Sequence, residues 1–123
     1  MHPVPPLADL DWLRGDRLDV VSTAEFTIWF AFDSKGVVQA DDTVELVGGD
    51  GTSEFYNPQT REGSWPFLKV IGRTVKNVAR PDDWTIEITF DGDFRLVTRS
   101  SDGGYESGQV TVPGGDAQSS HRF

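Results

Sequence analysis

The sequence contains no cysteine and only two histidines among its 123 residues. Without cysteine the chain has no disulfide scaffold, no thiolate metal site and no cysteine nucleophile. His2 and His121 lie near the two ends of the chain, where the backbone is usually poorly ordered. We therefore expect neither a serine–histidine–aspartate triad nor a histidine–metal site.

Long apolar runs are also missing from the sequence. No stretch approaches the roughly 18 consecutive apolar residues that a membrane-spanning helix needs. The first six residues, MHPVPP, lack the basic segment followed by an apolar run that marks a signal peptide. We therefore expect a cytoplasmic protein with no membrane partner.

Motifs that bind phosphate or metal ions are missing as well. The glycine clusters at 48–51 and 103–104 do not follow the order of a Walker loop or of the dinucleotide-binding fingerprint. Acidic groups at 41–42, 82–83 and 91–93 do not have EF-hand spacing, and aspartate is a standard turn residue. A glycosidase needs two carboxylates about 5–10 Å apart, and the sequence singles out no such pair. The sequence thus predicts no catalytic residues, no metal site and no cofactor.

Basic residues are few compared with acidic ones. The chain carries 11 lysines and arginines against 20 acidic residues, which makes the net charge −9. Residues 1–66 hold 12 acidic and 4 basic side chains (net −8), and residues 67–123 hold 8 and 7 (net −1). This distribution argues against direct nucleic-acid binding, which needs clustered basic residues. It favours a basic protein partner, although an acidic surface also serves simply to keep a protein in solution.

Apolar and polar residues alternate with a period of two in two segments. One segment places Trp84, Ile86, Ile88 and Phe90 on one face, the pattern of a half-buried strand. The other places Phe26, Ile28, Phe30 and Phe32 on one face and the apolar Trp29 and Ala31 on the opposite face. We expect two long strands that bury all four of these large side chains each.

The two strands belong to a longer repeat. Leu18 and Val21 match Val75 and Val78 at a spacing of 57, and residues 26–33 match residues 84–91 at a spacing of 58. Each half contains a glycine, a short apolar pair, a turn, a long strand and a closing aspartate, which indicates an internal duplication. The repeat halves span about 10–56 and 68–113 and share a loop-like linker at about 48–66.

The sequence therefore predicts a single domain, 1–123, of mainly β structure. Each half is expected to form a three- or four-stranded antiparallel meander, and the two meanders to pack as one sandwich or a partly open barrel. Glycine-containing turns such as Asp91-Gly92-Asp93 connect the strands as hairpins. We expect one or two helical turns at residues 7–13, a last strand within 105–112, and frayed tails at 1–6 and 114–123.

Several short segments of the second half carry a resemblance. They are Ile71-Gly72-Arg73, Phe90-Asp91-Gly92, and Tyr105-Glu106-Ser107 followed by Pro113-Gly114-Gly115. With these segments, residues 68–115 resemble a family of small, uncharacterised bacterial proteins. Some small proteins of this general type look like immunity proteins, which block toxins encoded beside them. The resemblance implies a binding role and brings no functional residues with it.

These observations favour a non-catalytic protein-binding module of the immunity or inhibitor type. Acidic residues of the first half would face a basic partner, and aromatic residues of the linker would provide buried anchors. The candidate binding residues are Asp41, Asp42, Glu45, Asp50, Glu54, Phe55, Tyr56, Glu62 and Trp65.

Two other functions remain open from the sequence. One is a small-molecule or carbohydrate-binding β domain, with two carboxylates and an exposed tryptophan in a pocket between the halves. The other is a structural homodimer in which an edge strand pairs with its mate. Among the tryptophans, Trp29 and Trp84 are expected in the core, while Trp12 and Trp65 either cap the two ends of the core or serve as exposed anchors.

Overall fold

The chain folds into strands preceded by a short helical segment. The structure is a computed structural model that describes residues 3–99, 108–111, 113 and 120–122. Its strands are β1 (Leu18–Thr23), β2 (Ile28–Phe32), β3 (Val37–Ala40), β4 (Val44–Val47), β5 (Ser53–Asn57), β6 (Glu62–Gly63), β7 (Val75–Asp82), β8 (Thr85–Phe90), β9 (Arg95–Arg99), β10 (Gly108–Thr111) and β11 (Ser120–Arg122). A helix, α1 (Leu7–Leu10), runs into a 3-10 turn at Asp11–Leu13, and another 3-10 turn at Phe67–Lys69 precedes β7. The helical turns predicted at residues 7–13 are confirmed.

The strands form two antiparallel sheets that pack face to face. One sheet has five strands in the order β1-β2-β3-β10-β11, and the other has six in the order β6-β5-β4-β9-β8-β7. The core lies between them and includes the fully buried rings of Phe30, Phe67 and Phe90. The predicted mainly β fold is confirmed, and of the two predicted architectures the protein adopts the sandwich.

The alternation of apolar residues predicts the buried residues correctly for three of the four positions in each long strand. Ile28, Phe30 and Phe32 of β2 are buried, as are Ile86, Ile88 and Phe90 of β8. The first residue of each predicted set is not. Phe26 is 53% exposed and Trp84 is 41% exposed.

Phe26 and Trp84 lie outside the strands because each belongs to the preceding turn. The Ala24 N–H donates to the Thr27 carbonyl (3.0 Å), which closes a tight turn around Phe26. The Trp84 N–H donates to the Asp82 carboxylate (2.8 Å), an Asx-type turn before β8. The expectation that Trp84 is a core residue is therefore wrong. Trp29 is half-buried on the outer face of β2 and donates its indole N–H to Gln39 (2.8 Å).

Each half of the chain contributes strands to both sheets. The predicted meanders are β1-β2-β3 in the five-stranded sheet and β7-β8-β9 in the six-stranded sheet. After its third strand each half crosses to the opposite sheet, where β4 pairs with β9 and β10 pairs with β3. Each sheet therefore combines three consecutive strands of one half with the later strands of the other, an exchange that the sequence did not predict.

Reciprocal hydrogen bonds join the two halves where β1 and β7 begin. The Leu18 N–H donates to the Arg73 carbonyl (3.1 Å), and the Val75 N–H donates to the Asp16 carbonyl (2.7 Å). The Gly15 N–H donates to the Val75 carbonyl (2.9 Å), and the Gly72 N–H donates to the Leu18 carbonyl (2.8 Å). Gly15 has φ +81° and Gly72 has φ +84°, a conformation that glycine adopts without steric cost. Each half therefore supplies the same hydrogen-bonding turn to the other.

Three segments differ from the predicted loops and tails. Val4 is 2% exposed and its N–H donates to the Asp83 carbonyl (2.8 Å), so within the tail predicted at 1–6 this residue packs in the core. In the predicted tail at 114–123, Ser120–Arg122 form β11 beside β10, and residues 114–119 and 123 lie outside the described residues. The linker at 48–66 is not a loop throughout, because β5 pairs with β4 over four positions. Of the predicted last strand, 108–111 form β10, and 105–107 and 112 lie outside the described residues.

The positive φ angles of Gly15 and Gly72 lead to a prediction about the stability of the fold. Replacing Gly15 or Gly72 with alanine should lower the free energy of unfolding by about 1–2 kcal/mol, because a Cβ at positive φ is sterically unfavourable. Neither position has another atom within 4 Å of an added Cβ, so the cost comes from backbone conformation alone. Gly72→Asn should cost less than Gly72→Ala, since asparagine tolerates this conformation better. Urea unfolding measures both, and equal losses for the two variants would contradict this explanation.

Candidate functional site

The nine candidate residues lie in several different places. Asp41 and Asp42 occupy the crossing from β3 to β4, and Glu45 and Phe55 point outward from the six-stranded sheet. Asp50 and Glu54 line a cavity, Tyr56 and Trp65 pack on each other, and Glu62 is exposed on β6. Phe55 and Tyr56 separate because consecutive residues of a strand point to opposite faces. The single acidic and aromatic face expected from the sequence is therefore divided.

Asp41 and Asp42 connect loops within the fold. The Asp41 carboxylate accepts hydrogen bonds from the Thr27 hydroxyl and from the Gln39 amide (3.2 Å). The Gln59 amide donates to the Asp41 carbonyl (2.8 Å), and the Asp42 carboxylate accepts from the Thr43 N–H (2.7 Å). Both carboxylates thus satisfy local hydrogen-bond donors, which favours a role in the turn over one in binding.

The outer face of the six-stranded sheet carries ion pairs. Arg95 on β9 contacts Glu87 on β8 at 3.0 Å, and Arg99 lies 4.0 Å from Glu45 on β4. Phe55 stands beside Glu45 at the end of this row and is 51% exposed. Because Glu45 and Glu87 face arginines, this surface is not the uniformly acidic one that the charge of the first half suggested.

The outer face of the five-stranded sheet has a different character. The residues of β2, β3 and β10 that point outward are Trp29, Ala31, Val37, Gln39, Gln109 and Thr111. None of these six is charged. The repeat places Trp29 and Val37 where the other sheet has Glu87 and Arg95, so the two outer faces differ in charge at these matched positions.

A cavity of about 250 Å³ opens beside the turn between β4 and β5. Its lining consists of Leu46, Gly48, Gly49, Asp50, Thr52, Glu54, Lys69 and Phe94. The first six residues come from the first half of the chain, and Lys69 and Phe94 come from the second. Asp50 and Glu54 are among the residues predicted from the sequence, and the other six are not.

Asp50 is held by its own turn. Its carboxylate accepts a hydrogen bond from the Thr52 hydroxyl (2.6 Å) and another from the Thr52 N–H (3.0 Å). These two donors hold the pKa of the Asp50 carboxyl below its ordinary value. The side chain is therefore anionic at neutral pH and fixed in direction at the edge of the cavity.

Glu54 is held by residues that follow it in the chain. The Lys69 ammonium donates to its carboxylate at 2.7 Å, and the Ser64 hydroxyl donates at 3.2 Å. The hydrogen bond from Lys69 is the main reason that the pKa of the Glu54 carboxyl lies below its ordinary value. With two acidic residues and one lysine in its lining, the cavity carries one excess negative formal charge.

Aromatic rings pack together on the inner side of β5, and they come from residues close in the chain to Ser64 and Lys69, which bind Glu54. Trp65 packs edge-to-face on Tyr56 and on Phe67, each at 5.1 Å between ring centroids. Phe67 in turn packs on Phe30 at 5.4 Å, which connects this group to the core. Trp65 nevertheless remains 38% exposed, and Leu68 is 74% exposed. We refer to the cavity lining together with Trp65 and Leu68 as the cavity face.

A second set of charges surrounds the hairpin between β8 and β9, next to the cavity. A Cβ added to Gly49 would lie 3.4 Å from the Cβ of Asp93, and Asp93 pairs with Lys76 at 2.7 Å. This pairing lowers the pKa of Asp93 and raises that of Lys76. The guanidinium of Arg73 lies over the Phe94 ring at 4.8 Å, a cation–π contact that holds the ring at the cavity.

Comparison with known proteins yields no relative. No family model, no curated protein and no solved structure matches this chain. The resemblance of residues 68–115 to small bacterial proteins therefore stays a prediction. Within the part of the chain that the structure describes, no three His, Cys, Asp or Glu side chains are grouped as a metal site, and no helix is long and apolar enough to cross a membrane.

The contact between Glu54 and Lys69 predicts a specific change in titration. In Lys69→Met the pKa of Glu54 should rise towards its ordinary value, because the main stabilising donor is lost. NMR titration of the Glu54 side-chain carboxyl measures the shift. Lys76→Met is the matched control, since it removes a lysine that pairs with Asp93 and should raise the pKa of Asp93 but not that of Glu54.

Lys69→Met should also change how the free energy of unfolding depends on pH. Because the pKa of Glu54 is lowered in the folded state, its contribution to stability is present above the ordinary carboxyl pKa and is lost as pH falls through the folded value. Wild type should therefore exceed Lys69→Met in stability near neutral pH, and the difference should shrink in acid. A difference that is constant with pH would contradict an ionic role for this pair.

Proposed function

We propose that this protein is a non-catalytic binding module, of the immunity or inhibitor type, that binds a basic protein through the cavity face. The observation that carries the proposal is the combination of a cavity with fixed carboxylates and an adjoining exposed tryptophan. Charged groups steer a partner of opposite sign and set its orientation. Exposed aromatic residues beside a concave surface are the kind of residue that dominates binding energy at interfaces.

The geometry of Trp65 supports its assignment as the anchor. Two of its ring contacts, with Tyr56 and Phe67, fix the indole against the core, so little side-chain entropy remains to be lost on binding. Leu68 adds exposed apolar surface from the neighbouring 3-10 turn. A cytoplasmic location is part of the proposal, in agreement with a cysteine-free chain.

Capture from a lysate of the native host, followed by mass spectrometry, tests this proposal with variants. Immobilised wild type should retain a basic protein at low salt and release it at high salt, since screening weakens charge attraction. The double variant Asp50→Asn with Glu54→Gln, and separately Trp65→Ala, should lose that protein.

The control removes the same charge elsewhere. Asp19→Asn with Glu25→Gln changes two exposed acidic residues that lie outside the cavity face and should retain the protein. Equal capture by the control and by the cavity-face variants would contradict binding through this face. Retention that does not change with salt would contradict a charge-steered interaction.

Small-molecule binding is the second candidate function. It is favoured by the fact that residues from both halves line the cavity and that two of them are carboxylates. A soluble ligand that shifts the NMR signals of the cavity lining, with no protein captured from the lysate, would favour this candidate over a protein partner.

Self-association is the third candidate, and it is favoured by the uncharged outer face of β2, β3 and β10. Two copies of a chain with a net charge of −9 repel each other least where charges are missing. Sedimentation velocity over a range of concentrations measures this, and Val37→Lys should weaken any dimer formed through that face. A sedimentation coefficient independent of concentration would exclude the dimer.

A further inference from the structure

The two 3-10 turns that precede β1 and β7 are matched by the repeat. At the spacing of 57 that matches β1 with β7, the fully buried Leu10 and Leu13 correspond to the fully buried Phe67 and Val70. The Leu13 carbonyl accepts a hydrogen bond at 3.1 Å from the N–H three residues later, and the Val70 carbonyl does the same at 3.0 Å. Both halves therefore hold this turn to the core at the same two positions.

The exposed side of the two turns differs in character. In the first half, Asp11 and Arg14 form an ion pair at 2.8 Å, and both side chains are exposed. The matched positions of the second half hold Leu68 and Ile71, which are exposed as well. Residues three apart lie on the same side of a 3-10 turn, so Leu68 and Ile71 are neighbours as the ion pair is. An exposed apolar pair in one half thus corresponds to an exposed ion pair in the other.

Leu68 and Ile71 belong to a group of exposed apolar side chains. Eight large hydrophobic side chains are exposed in the part of the chain that the structure describes, and three of them, including Trp65, lie within residues 65–71. Single exposed apolar side chains are normal on a protein surface, whereas an apolar group with polar residues around it marks an interaction site. The ion pair of the first half shows that the fold itself does not require apolar side chains at these positions.

The charges beside this turn favour a basic partner. Lys69, which follows Leu68, is already paired with Glu54 at 2.7 Å. The Asp50 carboxylate, which also lines the cavity, is held by the uncharged donors of Thr52. The cavity lining therefore keeps one excess negative formal charge, which attracts a basic segment and orients it.

We infer that the turn formed by residues 65–71 docks the apolar side of an amphipathic, basic segment of the protein partner. Leu68 and Ile71 contact apolar side chains of that segment, and its lysine or arginine side chains lie toward Asp50 at the cavity. Apolar burial supplies the affinity, and charge attraction sets the direction of the segment. This inference rests on the proposed function and adds the chemistry of the segment that the partner presents.

Two synthetic peptides test the inference with the full chain. One is a short amphipathic peptide of leucine and lysine with its leucines at helical spacing, and the other has glutamine in place of every leucine and the same charge. Isothermal titration calorimetry should give an affinity about tenfold or more higher for the leucine peptide, because burying one leucine side chain is worth about that much. Titrations at several temperatures should also give a more negative heat-capacity change for the leucine peptide, which is the mark of apolar burial.

A variant that copies the turn of the first half is the sharpest control. Leu68→Asp with Ile71→Arg replaces the apolar pair with the ion pair of the matched positions and leaves the net charge unchanged. It should fold, because the first half forms the same turn with this pair, and it should abolish the preference for the leucine peptide. If the double variant does not fold, Leu68→Gln changes only the more exposed of the two side chains and should reduce the preference.

A second control removes an exposed apolar side chain elsewhere. Phe26→Gln changes the turn between β1 and β2, where Phe26 is exposed, and should leave the preference for the leucine peptide unchanged. Circular dichroism establishes the folding of each variant before its titration.

Each outcome of the peptide experiment decides the inference. Equal, salt-dependent affinities for the two peptides would overturn apolar docking and leave the acidic binding role of the cavity face intact. A preference that survives Leu68→Asp with Ile71→Arg would place the apolar contact elsewhere and overturn the inference. Self-association of the wild type that this variant abolishes, measured by sedimentation velocity, would assign the turn to a second copy of the chain and overturn it as well. Failure of both peptides to bind would overturn the inference even where capture of a basic protein by the cavity face succeeds.

Discussion

Backbone hydrogen bonds between the starts of β1 and β7 hold the two halves of this protein together, and the rest of the sandwich depends on them. Arg17 and Thr74 face each other in an antiparallel bridge, with reciprocal N–H to carbonyl bonds on both sides. Each strand leaves this joint into a different sheet. The meander that follows stays in that sheet, and the chain then crosses over. The positive φ of Gly15 and Gly72 is what allows both turns to donate across the joint.

Because the two sheets have equivalent strand orders, each position in one half has a matched position in the other. The surfaces of the two halves differ where the side chains at matched positions differ. Ion pairs occupy one outer face where uncharged residues occupy the other. Trp12 packs against Gly36 in one half, whereas the residues matched to them by the repeat, Lys69 and Phe94, line the cavity in the other. These exchanges are compatible with the same backbone pairing in both sheets, because they change side chains and not the backbone groups that pair. Divergence of function between the halves is therefore compatible with a shared core.

The sequence predicted burial correctly within the strands, where apolar and polar residues alternate with a period of two. It predicted burial wrongly at residues that belong to turns. Ile86 and Ile88 were assigned correctly because a strand admits one orientation for each residue once its face is known. Trp84 was assigned wrongly because the alternation extends one step into a turn that Asp82 closes. Asp50 and Glu54, which the sequence grouped by charge and proximity in the chain, both line the cavity. Phe55 could not be separated from Tyr56 without knowing that β5 is a strand.

The order of apolar residues, turns and glycines in the sequence by itself determined that the protein is mainly β, that its halves are duplicated, and which residues of β2 and β8 form the core. These properties follow from local conformation and from the period of the strand. Only the tertiary structure decided that each half crosses between the sheets, that Lys69 reaches Glu54, and that residues of both halves line one cavity. Such features depend on contacts between residues far apart in the chain, which chain order alone does not specify.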